Sequence, residues 1–470
     1  MKELEDLVEF LIKEGADYAE ARLQKNTSIE VIMCNGEAEA PEFTENYGIG
    51  IRVMKDGALA FSSTNLIDWN NLKEIGLLAL KIAKANNSKK IGFSREKIIK
   101  KDWKVDFKIL PTEVDIKTIL EVLKDIELEI KEVNLKTSNR MISFNGSIEE
   151  KLYVNSEGTR ISSKVPRISG IIAITAYEGG KGCIQRILQY GETGGWERIE
   201  NLNLPYKAKE ETMAMRRILL EGKEVVPGIY DLIIGSEVAG IIAHEGCGHP
   251  QEADRILGRE GAQAGESYLK RNDIGRKIGS EILNISDYPA IENSYGFYLY
   301  DDEGVEVRKK RLIVEGKINE FLHNRETAYE FGIESNGSAR ASSYSREPII
   351  RMSNTFIEPG DYSFEELLED IKHGIYIKSF MEWNIDDIRW NHRYVGLEAY
   401  AIENGELKHP IRDAVIEATT KVIFSSIDAI GNDLKFNAAT CGKGQPDQGV
   451  PVWTGGPSIR MRNIYIKKRF

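Results

Sequence analysis

The sequence predicts an α+β protein with a mixed α/β N-terminal half and a strand-rich C-terminal half. Short stretches repeat apolar residues at helical spacing, and many others alternate apolar and polar residues between turn signals. The chain has 470 residues, too many for one ordinary core. We therefore expect packed helices with largely antiparallel sheets in the first half, and a β-rich domain in the second.

The N-terminal region is predicted over residues 1–225, with a finer division into lobes of about 1–105 and 106–225. Residues Leu4 to Leu11 have amphipathic helical spacing, and Ile116 to Val133 predict a longer helix with Thr112 as its N-cap. Asn35-Gly36 predicts a tight turn between strands. Residues 140–189 alternate in the manner of strands, and a charged helix follows at about 207–220.

The C-terminal β-rich domain is predicted over residues 226–470, because Val226-Pro227-Gly228 breaks regular structure. A strand and an apolar helix follow, and Ser236 is the predicted N-cap of that helix. Tyr295–Tyr300 is expected to pair with Val305–Val314. Ser363 to Glu366 has the pattern of a capping box.

Composition excludes several classes of protein. The net charge of −11 disfavours binding to nucleic acid or to an anionic membrane surface, since both are polyanionic. The apolar runs are much shorter than the roughly 20 residues that a membrane-spanning helix needs. Four widely separated cysteines fit a reducing compartment, and the acidic N-terminus does not resemble a signal peptide. We expect a cytoplasmic protein with no nucleic-acid or membrane partner.

The residues most suggestive of chemistry are the run His244-Glu245-Gly246-Cys247-Gly248-His249. In the familiar zinc motif two histidines lie four residues apart on one helix face, whereas here they lie five apart. On a regular helix that spacing separates the side chains by roughly 140°. Either a π-bulge or an early helix end would let both imidazoles converge, and the two glycines make either distortion easy.

A catalytic zinc takes three protein ligands and keeps one open position. Two histidines leave one ligand to find, and the candidates are Cys247, Glu252, Asp254 and Cys441. Cys247 lies between the histidines, where a shared coordination shell would be crowded. Cys441 lies in a glycine-rich stretch that we expect to be a flexible loop able to bring a thiolate to the ion.

Glu245 is the candidate catalytic base. Its side chain diverges from that of His244, so the two cannot easily share one ion. It is instead suited to take a proton from zinc-bound water and pass it to a leaving amine.

Two further residues are candidates for substrate binding. Arg351 and Asn354 follow a Ser/Gly-rich stretch on a predicted strand, and they could hold a peptide backbone or carboxylate. A structural salt bridge explains Arg351 about as well.

At these residues the chain resembles the TldD/PmbA family of metallopeptidases over nearly its whole length. The similarity includes the His-Glu-x-x-x-His signature at 244–249. It also includes shorter motifs at Ala16–Arg22, Tyr47–Val53, Asn155–Gly158, Gly191–Trp196, Arg351–Thr355, Ile402–Gly405 and Cys441–Lys443. The resemblance implies one Zn²⁺ held by His244, His249 and Cys441, with Glu245 as base.

The resemblance also implies hydrolysis of short or unfolded peptides by a homodimer, or by a heterodimer with a paralogue that lacks the motif. One segment, Ser379–Asp387, departs from the glycine-rich stretch usual in relatives, so substrate preference carries over poorly. Two other hypotheses stay open: a non-catalytic subunit that binds peptides or a partner around a structural metal, and a hydrolase of non-peptide amides.

Overall fold

A computed structural model describes residues 2–86, 90–261 and 265–469. It has the predicted α+β architecture, with mainly antiparallel sheets. No helix in these described ranges is long and apolar enough to cross a membrane.

The N-terminal half folds around one large sheet with helices packed on it. Its strands are β1 (Tyr18–Cys34), β2 (Glu37–Ala38), β3 (Glu42–Lys55), β4 (Ala58–Thr64), β5 (Lys100–Lys104), β6 (Thr137–Asn155), β7 (Arg160–Glu178) and β8 (Gly182–Thr193). The order is β4-β3-β1-β6-β7-β5, with β2 on β1 and β8 on β7. Among the described strands of this sheet, only β5 runs parallel to its neighbour, β7.

Three helices of this half, over residues 2–13, 116–132 and 204–221, correspond to the segments predicted to be helical. The helices of this half are α1 (Lys2–Lys13), α2 (Trp69–Ala85), α3 (Ile116–Glu132), α4 (Arg198–Leu202) and α5 (Leu204–Glu221). Helix α1 buries its apolar positions between 4 and 11 against the sheet. The predicted cap of α3 is wrong: Asp115, not Thr112, is the N-cap, because its carboxylate accepts from the backbone N–H of Lys117. Thr112 lies in a separate 3₁₀ turn, Pro111–Glu113.

The C-terminal half is richer in strands. They are β9 (Lys223–Glu224), β10 (Gly228–Ile234), β11 (Ile285–Asp287), β12 (Lys310–Val314), β13 (Lys317–Ile318), β14 (Ala339–Arg340), β15 (Ile349–Ile350), β16 (Asn354–Ile357), β17 (His373–Ile377), β18 (Phe380–Ile385), β19 (Asn391–Gly396), β20 (Ala399–Glu403), β21 (Glu406–Arg412), β22 (Ala414–Thr419), β23 (Ile427–Ile430), β24 (Lys435–Lys443), β25 (Gln448–Gly456) and β26 (Ile459–Lys468). One sheet has the order β18-β19-β22-β26-β10-β17-β20-β21-β9, with β23 on β26. A second has the order β13-β12-β11-β16-β25-β24.

The helices of this half are short. They are α6 (Ser236–Ala243), α7 (Ala253–Ile256), α8 (Arg325–Phe331), α9 (Phe364–Glu369) and α10 (Thr420–Ser426). The capping box predicted at Ser363 is present and opens α9. Ser236 is not an N-cap: Gly235 takes that position, and Ser236 is the first helical residue.

The predicted pairing of Tyr295–Tyr300 with Val305–Val314 is also wrong. A single bridge joins Tyr300 to Glu306, and β12 pairs instead with β11 and β13. The physical reason is a buried turn at Asp301, whose carboxylate accepts from the backbone N–H groups of Glu303, Val305 and Ala339. That turn draws the chain away from a continuous ladder.

Candidate metal centre

The His-Glu run begins where α6 ends, in the largest apolar core. Helix α6 packs closely on β25: a Cβ added at Gly240 would lie 2.9 Å from the carbonyl carbon of Thr454. After Ala243 the helix widens into a π turn, His244–Gly248, in which the His249 N–H donates to the His244 carbonyl. Since a π turn brings residues five apart onto nearly one face, the imidazole centroids of His244 and His249 are only 5.0 Å apart.

Of the two glycines in the π turn, Gly248 is needed for space more than for backbone freedom. Gly248 has φ −57°, a helical value that any residue can adopt. A Cβ there, however, would lie 1.9 Å from the sulfur of Met352. At Gly246 the nearest atom to an added Cβ is a ring carbon of Phe424, at 3.2 Å.

Cys441 lies beside the two histidines, although it is 192 residues further along the chain than His249. Its sulfur is 3.3 Å from Nε2 of His249. One ligand atom from each of His244, His249 and Cys441 lies within 4.8 Å of the other two, and all three residues are buried. The expected flexible loop is wrong, because Cys441 lies in edge strand β24 and pairs with Val450 of β25.

The chemistry of these three side chains fits a metal ion such as zinc. Burial lowers the pKa of both histidines, which favours the neutral imidazole that binds metal. Burial alone would raise the pKa of Cys441, but the neighbouring His249 and Arg351 outweigh it and lower the pKa to about 7. In the described part of the chain, the buried Nδ1 of His244 has no hydrogen-bond partner.

The other candidate ligands face elsewhere. Cys247 is fully buried among apolar residues, and burial raises the pKa of its thiol well above the usual range. Asp254 accepts two hydrogen bonds from Lys443, at 2.7 and 2.8 Å. Glu252 contacts His249 on its Nδ1 side, 2.9 Å away, and so does not share the space between the imidazoles and the thiol.

Glu252 instead orients His249. By holding Nδ1, it leaves Nε2 directed at Cys441, an arrangement typical of metal-binding histidines. Arg255 donates to the same Glu252 oxygen at 2.6 Å, and Lys443 lies 3.4 Å from the other. Burial would raise the pKa of Glu252, but the cationic neighbours hold it well below its usual range. The sequence analysis did not predict this role for Glu252 and Lys443. The signal available was their closeness along the chain to the ligands: Glu252 lies three residues after His249, and Lys443 lies two residues after Cys441.

Glu245, the predicted base, is buried next to His244. Its Oε2 accepts a hydrogen bond from Nη1 of Arg389 at 2.8 Å. Arg389 lies at the tip of the β18–β19 hairpin, 144 residues further along the chain. Nothing in the sequence pattern pointed to this arginine.

Arg351 and Asn354 are fully buried, and their hydrogen bonds go to the protein itself. Arg351 donates to the carbonyl oxygens of Cys441 and Gln448, so it supports the strand that carries the thiol. The Asn354 amide donates to the carbonyl of Tyr288 at 2.8 Å. Contact of either residue with a substrate stays a prediction.

Comparison with known proteins gives consistent results along the chain. Family models described as PmbA/TldA metallopeptidase domain 1, central domain and C-terminal domain match residues 19–83, 109–216 and 227–468. A protein named as a metalloprotease from Methanocaldococcus jannaschii is 33% identical over 96% of this chain and 97% of its own length. A zinc metalloprotease TldD homolog from Saccharolobus solfataricus is 28% identical over 96% of this chain and 97% of its own length.

Among solved structures, TldE from Thermococcus kodakarensis superposes with a TM-score of 0.77 and 18% sequence identity. The match covers 99% of both chains. At this identity the similarity establishes the fold.

Proposed function

The chain belongs to the PmbA/TldD family of metallopeptidases, and we propose that it is a zinc-dependent peptidase that hydrolyses short or unfolded peptides. The observation that carries the proposal is the convergence of His244, His249 and Cys441 within 4.8 Å, beside the carboxylate of Glu245. The similarity to the zinc metalloprotease TldD homolog from Saccharolobus solfataricus supports zinc as the ion.

Each residue has a distinct part in this proposal. The two imidazoles and the thiolate would hold the ion, and a catalytic zinc with three protein ligands keeps one position open for water or substrate. Zinc, when bound, would lower the pKa of a water molecule and polarise a peptide carbonyl. Glu245 accepts the proton of the attacking water and returns it to the leaving amine. Glu252 keeps the His249 ring in the orientation that binds metal.

The base is tested by Glu245→Gln, which keeps the shape of the side chain but removes its basicity. We expect cleavage of an unfolded peptide pool to be lost while zinc content stays near that of the parent protein. Loss of zinc in this variant would contradict the assignment of Glu245 as base. Cleavage of small amides in place of peptides would favour the amide hydrolase, and a zinc-loaded parent with no activity would favour the binding subunit.

The third ligand is tested by Cys441→Ser, with Cys247→Ser as the matched control. Both thiols are buried near the histidines, but only Cys441 directs its sulfur at them. We expect zinc to be depleted in Cys441→Ser and retained in Cys247→Ser. The reverse result would return the third position to Cys247.

Assembly and location belong to the same proposal. We propose a cytoplasmic homodimer, or a heterodimer with a paralogue that lacks the histidine motif. The fold similarity to TldE supports a partner of the same architecture. Measuring the mass of the purified chain in solution, and peptide cleavage with and without such a paralogue, distinguishes the two assemblies.

A further inference from the structure

We propose that Arg389 is a positioning residue for Glu245, delivered to the metal centre by the β18–β19 hairpin. The inference rests on the proposed peptidase function, in which Glu245 is the base. It also gives a role to the segment Ser379–Asp387, which provides β18 and the start of the hairpin tip.

The contact between the two side chains is direct and buried. Arg389 Nη1 lies 2.8 Å from Glu245 Oε2, and the two side chains are 11% and 5% exposed. Among the described residues, Glu245 has no other side-chain hydrogen bond. One carboxylate oxygen is therefore fixed, and the other is left to exchange a proton.

The backbone at the hairpin tip is shaped to hold this arginine. Arg389 has φ +64°, a left-handed conformation that is uncommon for a residue with a large side chain. Its carbonyl accepts from the Thr420 hydroxyl at 2.9 Å, and its N–H donates to the Asp386 carbonyl at 3.0 Å. The Asp386 carboxylate in turn accepts from the N–H of Trp390 at 2.7 Å. Such a strained residue persists only where its surroundings determine it, often at a functional site.

A second contact joins the hairpin tip to the π turn. The ring of Trp390 packs against Tyr268, with centroids 5.0 Å apart. The Tyr268 hydroxyl donates to the carbonyl of Gly246 at 3.0 Å. The tip is thus attached to the run at two points, directly at the Glu245 side chain and through Tyr268 at the Gly246 backbone.

These contacts explain what the arginine contributes. A glutamate side chain has three rotatable bonds, and its carboxylate must be held within hydrogen-bond reach of the reacting water. The single contact with Arg389 fixes its orientation without using both oxygens. Misplacing a catalytic group by about 1 Å can cost about 100-fold in rate.

The test is Arg389→Met, which keeps the length of the stem but removes the guanidinium. We expect kcat to fall by about 100-fold with little change in KM, and zinc content to stay at the parent level. Arg389→Lys should recover part of the rate, and so should guanidinium ion added to Arg389→Met below denaturing concentration. Arg393→Met is the matched control, because Arg393 pairs with Glu382 on the same hairpin. It should keep the parent rate.

Dependence on Glu245 is tested by combining the variants. In a Glu245→Gln background, Arg389→Met should cost no further activity; an undiminished second loss would overturn the proposal. The metal-free proteins provide a readout that does not need activity. Removing one partner of a buried ion pair leaves an uncompensated charge, so the Tm losses of Glu245→Gln and Arg389→Met should not add.

Failure of the proposed peptidase function and failure of the proposed role of Arg389 would give different results. A parent protein that cleaves no peptide would refute the proposed function, while the metal-free Tm cycle would still test the pairing. Additive Tm losses, or equal rate losses in Arg389→Met and Arg393→Met, would overturn the role of Arg389. So would failure of both lysine and guanidinium to recover activity.

Discussion

The close approach of Gly248 to Met352 makes a specific prediction about metal affinity. In Gly248→Ala the new Cβ would lie 1.9 Å from the Met352 sulfur, 3.1 Å from its Cγ and 3.4 Å from its Cε. Ordinary non-bonded contacts are about 3.5–4.0 Å, so the methionine or the π turn must move by roughly 1.6 Å. Met352 is fully buried, which leaves it little room.

The magnitude follows from two opposing effects. Overpacking a core costs about 1–3 kcal/mol. The helical backbone at Gly248 would by itself favour alanine by about 0.5–1 kcal/mol. An approach of 1.9 Å places the overpacking cost toward the upper end of its range, so the net cost is about 1–2 kcal/mol. Because Gly248 directly precedes His249, we expect this strain to appear as zinc affinity roughly 5- to 30-fold weaker than in the parent.

The assay is competition for zinc with a chromophoric chelator, using Gly246→Ala as the control. At Gly246 the closest atoms are 3.2 Å from an added Cβ, so small shifts accommodate the methyl group and affinity should change little. Met352→Ala should restore zinc affinity to Gly248→Ala, since it removes the obstructing atoms. Unchanged affinity in Gly248→Ala, or equal losses in both glycine variants, would refute the packing argument.

Three further outcomes are expected. Glu252→Gln should weaken zinc binding by about 10- to 100-fold in the same competition assay, because a neutral amide replaces the carboxylate that orients the His249 ring; unchanged affinity would contradict that role. Ser363→Ala should lower the free energy of unfolding by about 1 kcal/mol in denaturant titration, because it removes the capping box of α9. Chelating the metal should lower Tm, since an ion at about 1,000 times its Kd stabilises the folded state by about 4 kcal/mol; a Tm unaffected by chelator would count against a bound metal.

Local sequence patterns predicted the features that depend on neighbouring residues. The capping box at Ser363 and the amphipathic helix from Leu4 to Leu11 are confirmed, because caps and apolar periodicity act within a few turns. The predicted pairing of Tyr295–Tyr300 with Val305–Val314 is wrong because a contact with a distant part of the chain determines the structure there. The Asp301 carboxylate accepts from the backbone of Ala339, a contact that no local pattern records.

At the metal centre, too, the sequence predicted what depends on neighbouring residues and missed what depends on distant ones. The histidine spacing indicated a distorted helix, but not whether it would bulge or end. The choice depends on Met352 and Tyr268, which lie outside the run. Arg389 was missed because its function depends on a hairpin 144 residues beyond Glu245, and its own sequence surroundings resemble an ordinary turn.

The π turn also explains why a spacing of five can serve as well as four. Widening the helix shifts the backbone hydrogen bonds by one residue, so a carbonyl within the turn needs a partner from elsewhere. The Tyr268 hydroxyl supplies that partner to Gly246, and Tyr268 is itself covered by Trp390 of the hairpin. The distortion that brings His249 toward His244 is therefore stabilised by the same hairpin that carries Arg389 to Glu245. Convergence of the two imidazoles and orientation of the base thus depend on different residues of one structural element, β18–β19: Trp390 covers the tyrosine that stabilises the π turn, and Arg389 contacts the base.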